Sequence, residues 1–223
     1  MESNQNWYRF YTAGHFGYPQ PEDSYKQVTY DTSIYCDRCG IGGIQNNPFR
    51  FRTAPKKTKH FLKLNWVFDE IFISPEVKGV FEQEKIEGLS YLHPVINKTG
   101  ENIENLYQIK VDTILAKGVF LNSLNTVTCK EDNEESHIKI GGGPLRYPPD
   151  YPFCGRVKYN YPKEKNITFN KQIFESIPDI VKSNEFFGSG GQAYRLILVS
   201  QKIYNIVKSN KWRGVLLEPI TLK

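Results

Sequence analysis

One segment of this chain occurs twice. SPEVKGVFEQEKIEGL (74–89) lies over SQKIYNIVKSNKWRGV (200–215) at a constant offset of 126. Ser74 matches Ser200, Val77 matches Ile203, Val80 matches Ile206, and Phe81 matches Val207. Lys85 matches Lys211, Gly88 matches Gly214, and Leu89 matches Val215. Serine is a helix N-cap residue, because its hydroxyl accepts from an amide that the helix leaves unpaired. Pro75 suits the first helical position, where a missing N–H costs nothing. Apolar residues spaced by three and four place one stripe against a sheet, and glycine suits the left-handed turn after a helix. WVFDEIFI (66–73) and YRLILV (194–199) precede the two copies as strands. The reading is a repeated strand–helix–strand unit. The two helices read as scaffold, with no catalytic group in the matched positions.

The chain around this unit favours strands and turns. Its 223 residues include 14 Tyr, 14 Phe and 3 Trp, with 13 Pro and 17 Gly. Aromatic residues fit sheets and large cores, and Pro and Gly punctuate them. The fold class expected is α+β, with mixed or antiparallel sheets and two main Ser-capped helices. The units suggest an N-terminal subdomain at 1–100 and a C-terminal one at 101–223, either separate or merged into one compact domain. Further strands are expected at 7–11, 48–52, 106–116 and 119–129, and a turn-rich loop at 14–27.

The cysteines carry the second signal. Cys36-Asp-Arg-Cys39-Gly40 is a C-x-x-C-G knuckle. Two thiolates at that spacing reach one tetrahedral metal. Cys154-Gly155 reads as half of another knuckle, with Tyr151 standing where its first cysteine belongs. Cys129 is the remaining thiol, and His137 and His15 are alternatives to it. The candidate site is therefore Cys36, Cys39, Cys154 and Cys129, binding zinc structurally. A redox dithiol and four unmetallated buried thiols are the competing readings. Cys39 precedes Ser74 by 35 residues and Cys154 precedes Ser200 by 46. On that spacing the knuckle belongs to the repeated module, with a decayed second copy.

Composition and motifs exclude several classes. No apolar run approaches the ~18–20 residues of a membrane helix. MESNQNWYRFY lacks the basic and apolar regions of a secretion signal, so a cytoplasmic location is expected. Net charge is +5, too small and too scattered to point to nucleic acid. The densest basic cluster, Lys56, Lys57, Lys59 and His60, reads as a solvated loop, as does the acidic stretch Glu131, Asp132, Glu134 and Glu135. No GxSxG, HExxH or Walker pattern is present. The glycines at 141–143 and 188–191 read as loops without a phosphate-binding lysine. Asp69 and Glu70 are expected on opposite faces of a strand, which prevents them from acting as one acid/base pair.

YCDRCG (35–40), FCGR (153–156) and LILVSQKIYNIVKSNKWRGVLLEPI (196–220) resemble the double-CXXCG family, which is similar to immunity proteins of bacterial polymorphic-toxin systems. The resemblance implies a non-enzymatic cytoplasmic protein that binds and neutralises a cognate protein toxin. It transfers no contact residues, and it leaves the toxin and the oligomeric state open. Exposed aromatics among Trp7, Tyr8, Tyr11, Phe16 and Tyr18 are candidates for such a contact, core use being the simpler reading for the first three. The alternative is a zinc-ribbon nucleic-acid-binding module presenting Arg38, Phe49, Arg50 and Arg52.

Overall fold

The computed structural model describes residues 6–56, 59–121, 124–130, 139–140, 143–144, 152–162 and 166–223. Its organisation follows from one strand. In Trp7–Thr12, Trp7, Tyr8, Phe10 and Thr12 are buried, and the strand pairs on both edges. One neighbour is Tyr194–Ser200 and the other is Val215–Pro219, both antiparallel. The opening strand of the chain thus lies between two of its last strands.

This placement is half of a symmetric exchange. The first repeat runs through strands Trp7–Thr12, Tyr30–Asp31, Ile44–Gln45, Arg50–Phe51, Phe61–Leu62 and Ile71–Ile73, helix Pro75–Gln83, and strands Leu89–Leu92 and Val95–Ile96. The second runs in the same order through Tyr107–Val111, Thr126–Thr128, Val157–Tyr159, Thr168–Phe169, Ile180–Phe187 and Tyr194–Ser200, helix Gln201–Ser209, and Val215–Pro219 and Thr221–Leu222. The short helix Tyr25–Thr29, which replaces part of the expected 14–27 loop, is α1; the two repeated helices are α2 and α3.

The sheets mix the repeats. Phe61–Leu62, Ile71–Ile73, Tyr107–Val111 and Leu89–Leu92 form one four-stranded antiparallel sheet in that spatial order. Ile180–Phe187, Tyr194–Ser200, Trp7–Thr12 and Val215–Pro219 form its antiparallel counterpart within a six-stranded sheet, which Val157–Tyr159, parallel to Ile180–Phe187, and then Thr126–Thr128 extend. Each repeat therefore lends its first strand to the other's sheet. The register matches as well. Ile73 faces Tyr107 and Leu89 faces Val111, while Val199 faces Tyr8 and Val215 faces Thr12.

The exchanged strands continue into paired crossings. His15 bridges Lys63 and Ile114 bridges Lys182, both parallel. Gly88 packs on the Ile180 carbonyl, and Gly214 packs on that of Phe61. Both glycines have positive φ, 92° and 90°, so a side chain at either is strained and obstructed. Lys85 and Lys211, three residues earlier, share left-handed φ values of 51° and 53°.

The helices obey the expected periodicity. Val77 and Phe81 of α2, and Ile203, Ile206 and Val207 of α3, enter one core with Phe10, Phe61, Ile73, Val199 and Trp212. Burying each such side chain contributes about 1.5–3 kcal/mol before entropy is charged. Ser74 caps α2 by accepting from the Val77 amide at 3.4 Å. Ser200 stands at the same position of α3, but its hydroxyl donates to Asp179 Oδ1 at 2.7 Å.

Some strand expectations are shortened. The strand expected at 66–73 shortens to Ile71–Ile73, because a turn precedes it in which Trp66 has φ 66° and the Val67 amide bonds to the Leu64 carbonyl. Among the described residues of 119–129 only Thr126–Thr128 is a strand, and within 106–116 only Tyr107–Val111. Asp69 and Glu70 precede the strand at Ile71, so strand alternation does not separate them. Both reach the Lys182 ammonium, Glu70 Oε1 at 2.7 Å and Asp69 Oδ2 at 3.6 Å. Glu70 Oε2 accepts from Gln108 Nε2 at 2.8 Å. Burial raises the Glu70 pKa against the pull of Lys182. Burial alone lowers that of Lys182, and Asp69 and then Glu70 reverse it to a net rise.

Candidate metal centre

The four cysteines converge. Their sulfur atoms all lie within 4.8 Å of one another. Cys39 Sγ is 3.6 Å from Cys154 Sγ, and Cys36 Sγ is 4.0 Å from Cys129 Sγ. Metal–sulfur bonds of about 2.3 Å in a tetrahedron place sulfurs about 3.8 Å apart, so the two separations bracket that requirement. Cys36, Cys39 and Cys129 are buried, Cys154 is half-buried, and none is in a disulfide. The donor set can hold a metal ion that favours sulfur.

Two local turns build the site. In the first, the Cys36 amide donates to the Ile41 carbonyl at 2.9 Å and the Gly40 amide to the Cys36 carbonyl at 2.7 Å. In the second, the Cys129 amide donates to the Arg156 carbonyl and the Gly155 amide to the Cys129 carbonyl, both at 3.0 Å. Gly40 and Gly155 both have positive φ, 79° and 68°. Cys129 therefore holds the place in the second turn that Cys36 holds in the first, and the reading of Tyr151 at that place is corrected. The second knuckle is whole but opened: 24 residues separate its cysteines where the first has two. Each repeat supplies one knuckle, and the two sulfur pairs join matching cysteines across the repeats.

Tyr151 and His137 lie outside the described residues, as do Lys57, the acidic residues at 131–135 and Gly141 and Gly142. His15 is exposed on its bridge with Lys63 and is not part of the sulfur cluster.

Cations surround the thiols. Lys158 is 1% exposed. Its ammonium donates to the carbonyls of Cys39 at 2.9 Å, Gln192 at 2.8 Å and Gly190. Arg156 Nη2 donates to the Ile34 carbonyl at 2.8 Å. A side chain on Gly40 would strike Ala193 N and Gly191 O, both at 2.7 Å, so the 188–193 turn closes tightly over the first knuckle. The glycines at 188–191 thus form a turn whose carbonyls face a buried cation, the opposite polarity to a phosphate cradle. Within the cluster the Cys39 hydrogen bond lowers the Cys36 pKa to about 4, and the same bond raises that of Cys39.

Sequence reasoning missed Lys158, because VKY (157–159) reads as an alternating strand with its lysine outward. The pairing of Cys129 with Cys154 was equally hidden by the insertion between them.

The other candidates are placed as follows. Trp7 and Tyr8 are core residues, Tyr11 donates to Glu218 Oε1 at 2.5 Å, and Phe16 is half-buried against Phe51. Tyr18 is 40% exposed and packs on the equally exposed Trp66. Arg38 is buried over the Phe153 ring and Phe49 is fully buried. That leaves Arg50, half-buried, and Arg52, exposed, of the four proposed nucleic-acid contacts.

A cleft of about 590 Å³ opens beside the centre, lined among others by Ile41, Arg156, Tyr159, Glu185 and Arg195. Among the described residues Glu185 is its one carboxylate, and Glu185 Oε1 accepts from the amides of Gly118 and Val119 at 2.9 and 3.1 Å. Among the described residues no helix is long and apolar enough to cross a membrane. Comparison with known protein families and with curated proteins finds no match to this chain.

Proposed function

We propose that this chain is a non-enzymatic binding protein, held together by a structural zinc ion, that neutralises a cognate bacterial toxin. The observation that carries the reading is the closed sulfur set. Four cysteines fill a tetrahedral metal's coordination, whereas a catalytic zinc keeps one position for water or substrate. Cys36, Cys39, Cys129 and Cys154 would hold the ion, and its chemistry there is cross-linking two loops from different repeats. All-sulfur tetrahedral sites favour zinc among common divalent ions. Free thiols of this kind persist in the reducing cytoplasm.

The resemblance to double-CXXCG immunity proteins supplies the partner class. A knuckle from each repeat, the second opened by 24 residues, supports that resemblance. Among the described residues, the cleft beside the centre brings no nucleophile and base together, which supports occlusion rather than catalysis as the mode of action. Co-expression with the toxin encoded beside its gene, followed by affinity capture, tests the reading. A stable complex and rescued growth are expected. Absence of both, with correctly folded protein, overturns it.

A further inference from the structure

A buried ammonium needs either an anion or complete hydrogen bonding, since desolvating a charge costs several kcal/mol. Lys158 has three carbonyl acceptors, and among the described residues no carboxylate forms an ion pair with it. The groups that act on it with opposite charge are the thiols of Cys39, Cys129 and Cys36. Four thiolates around a divalent ion carry a formal charge of about −2. Lys158, bonded to the carbonyl of Cys39, and Arg156, two residues beyond Cys154, balance that charge with two cations. The matching position in the first turn, two residues past Ile41, is Gly43. The cation is therefore an addition to one repeat only.

Two of the three acceptors, Gly190 and Gln192, belong to the turn between strands Ile180–Phe187 and Tyr194–Ser200. The same turn packs on Gly40 of the first knuckle. Lys158 thus touches a ligand residue on one side and the turn on the other. We infer that Lys158 is the built-in counter-charge of the metal centre, and that through it metal occupancy holds the 188–193 turn in place. It acts through the sulfurs' environment and is a positioning residue. The inference rests on the metal reading above and extends it.

The logic separates charge from shape. With the ion bound, the ammonium faces an excess of negative charge and strengthens the site. Without it, the sulfurs carry less negative charge, because metal binding displaces thiol protons, and the electrostatic tie to the turn weakens. Outer-shell partners of metal ligands are worth about 10–100-fold in affinity.

The experiment measures zinc affinity by competition with a chromophoric chelator for the wild type, Lys158→Gln and Lys158→Arg. The cobalt-loaded spectrum reports the sulfur set. Lys158→Gln keeps two of the three donors and removes charge, so its affinity is expected to fall at least tenfold with an unchanged cobalt spectrum. Lys158→Arg is expected to stay within threefold of wild type. Lys158→Gln binding like wild type, or both variants falling alike, overturns the inference while leaving the metal reading intact. A wild type that binds no zinc overturns both. Hydrogen exchange of the wild type at 189–193, with and without zinc, decides the matter independently of the variants' folding. Protection by zinc is expected, and equal exchange in the two states refutes the coupling.

Discussion

Alanine at Gly88 and at Gly214 tests the symmetric crossing of the two repeats. Each glycine has φ near +90° and sits against a carbonyl of the opposite sheet. The left-handed conformation costs an L-residue about 1–2 kcal/mol. Restricting the unfolded chain returns about 0.4–1 kcal/mol. The conformational loss is therefore about 0.5–1 kcal/mol at both positions, and sterics set the difference. At Gly214 the new Cβ meets one atom, Phe61 O, at 2.9 Å. At Gly88 it meets the Ile180 carbonyl more closely still, with Pro178 Cβ at 2.8 Å and Cγ at 2.9 Å. Overpacking of that kind costs about 1–3 kcal/mol. Gly88→Ala is expected to lose about 2–4 kcal/mol, and Gly214→Ala about 1–2 kcal/mol. Gly79, within α2 and facing open space, is the control: Gly79→Ala is expected to gain about 0.5–1 kcal/mol from helix propensity. Urea unfolding followed by tryptophan fluorescence gives the three values at constant m. A Gly88→Ala loss below that of Gly214→Ala, or within about 0.5 kcal/mol of wild type, refutes the packing argument.

Further outcomes follow from other sites. Removing bound metal with a chelator is expected to lower the melting temperature, and Cys129→Ser is expected to abolish stoichiometric metal binding as fully as Cys36→Ser; metal analysis of both variants checks this. Lys182→Met strands Glu70 and Asp69 without their cation and is expected to cost about 3–5 kcal/mol in urea unfolding, whereas a loss under about 1 kcal/mol refutes the pairing. Burial, followed by Asp69, raises Tyr25 to about 12, and burial, followed by the Glu218 hydrogen bond, raises Tyr11 to about 12. A raised folded-state value gives stability that is full below the unfolded value near 10 and lost as pH climbs to the folded one. The urea midpoint should therefore decline between about pH 10 and 12, less steeply in Tyr25→Phe.

Local order was readable in the sequence, and its long-range consequences were not. The serine, the apolar spacing and the glycine of α2 and α3 are local chemistry, and both helices form where those residues place them. The exchange of Trp7–Thr12 and Tyr107–Val111 is a choice between similar aromatic and β-branched strands over large separations, and no local pattern distinguishes the partners. Cys36 and Cys39 advertised themselves by spacing. Cys129 and Cys154 form an equivalent turn with the same amide bonds, but spacing-based reasoning fails once an insertion enters the turn. Asp69 and Glu70 were assigned to a strand that starts one residue later, which is enough to bring both onto Lys182.

The exchanged strands also constrain the order in which this molecule can assemble. Trp7–Thr12 leaves the ribosome long before its hydrogen-bonding neighbours, Tyr194–Ser200 and Val215–Pro219, are made. The sheet around α2 must likewise wait for Tyr107–Val111 to emerge. During synthesis the leading strand, with its buried-type aromatic face, has no native edge to occupy, and contacts so distant along the chain form slowly. Nascent chains of this protein therefore carry an unsatisfied aromatic strand until residues 194–219 have been made, which makes them natural clients for chaperones.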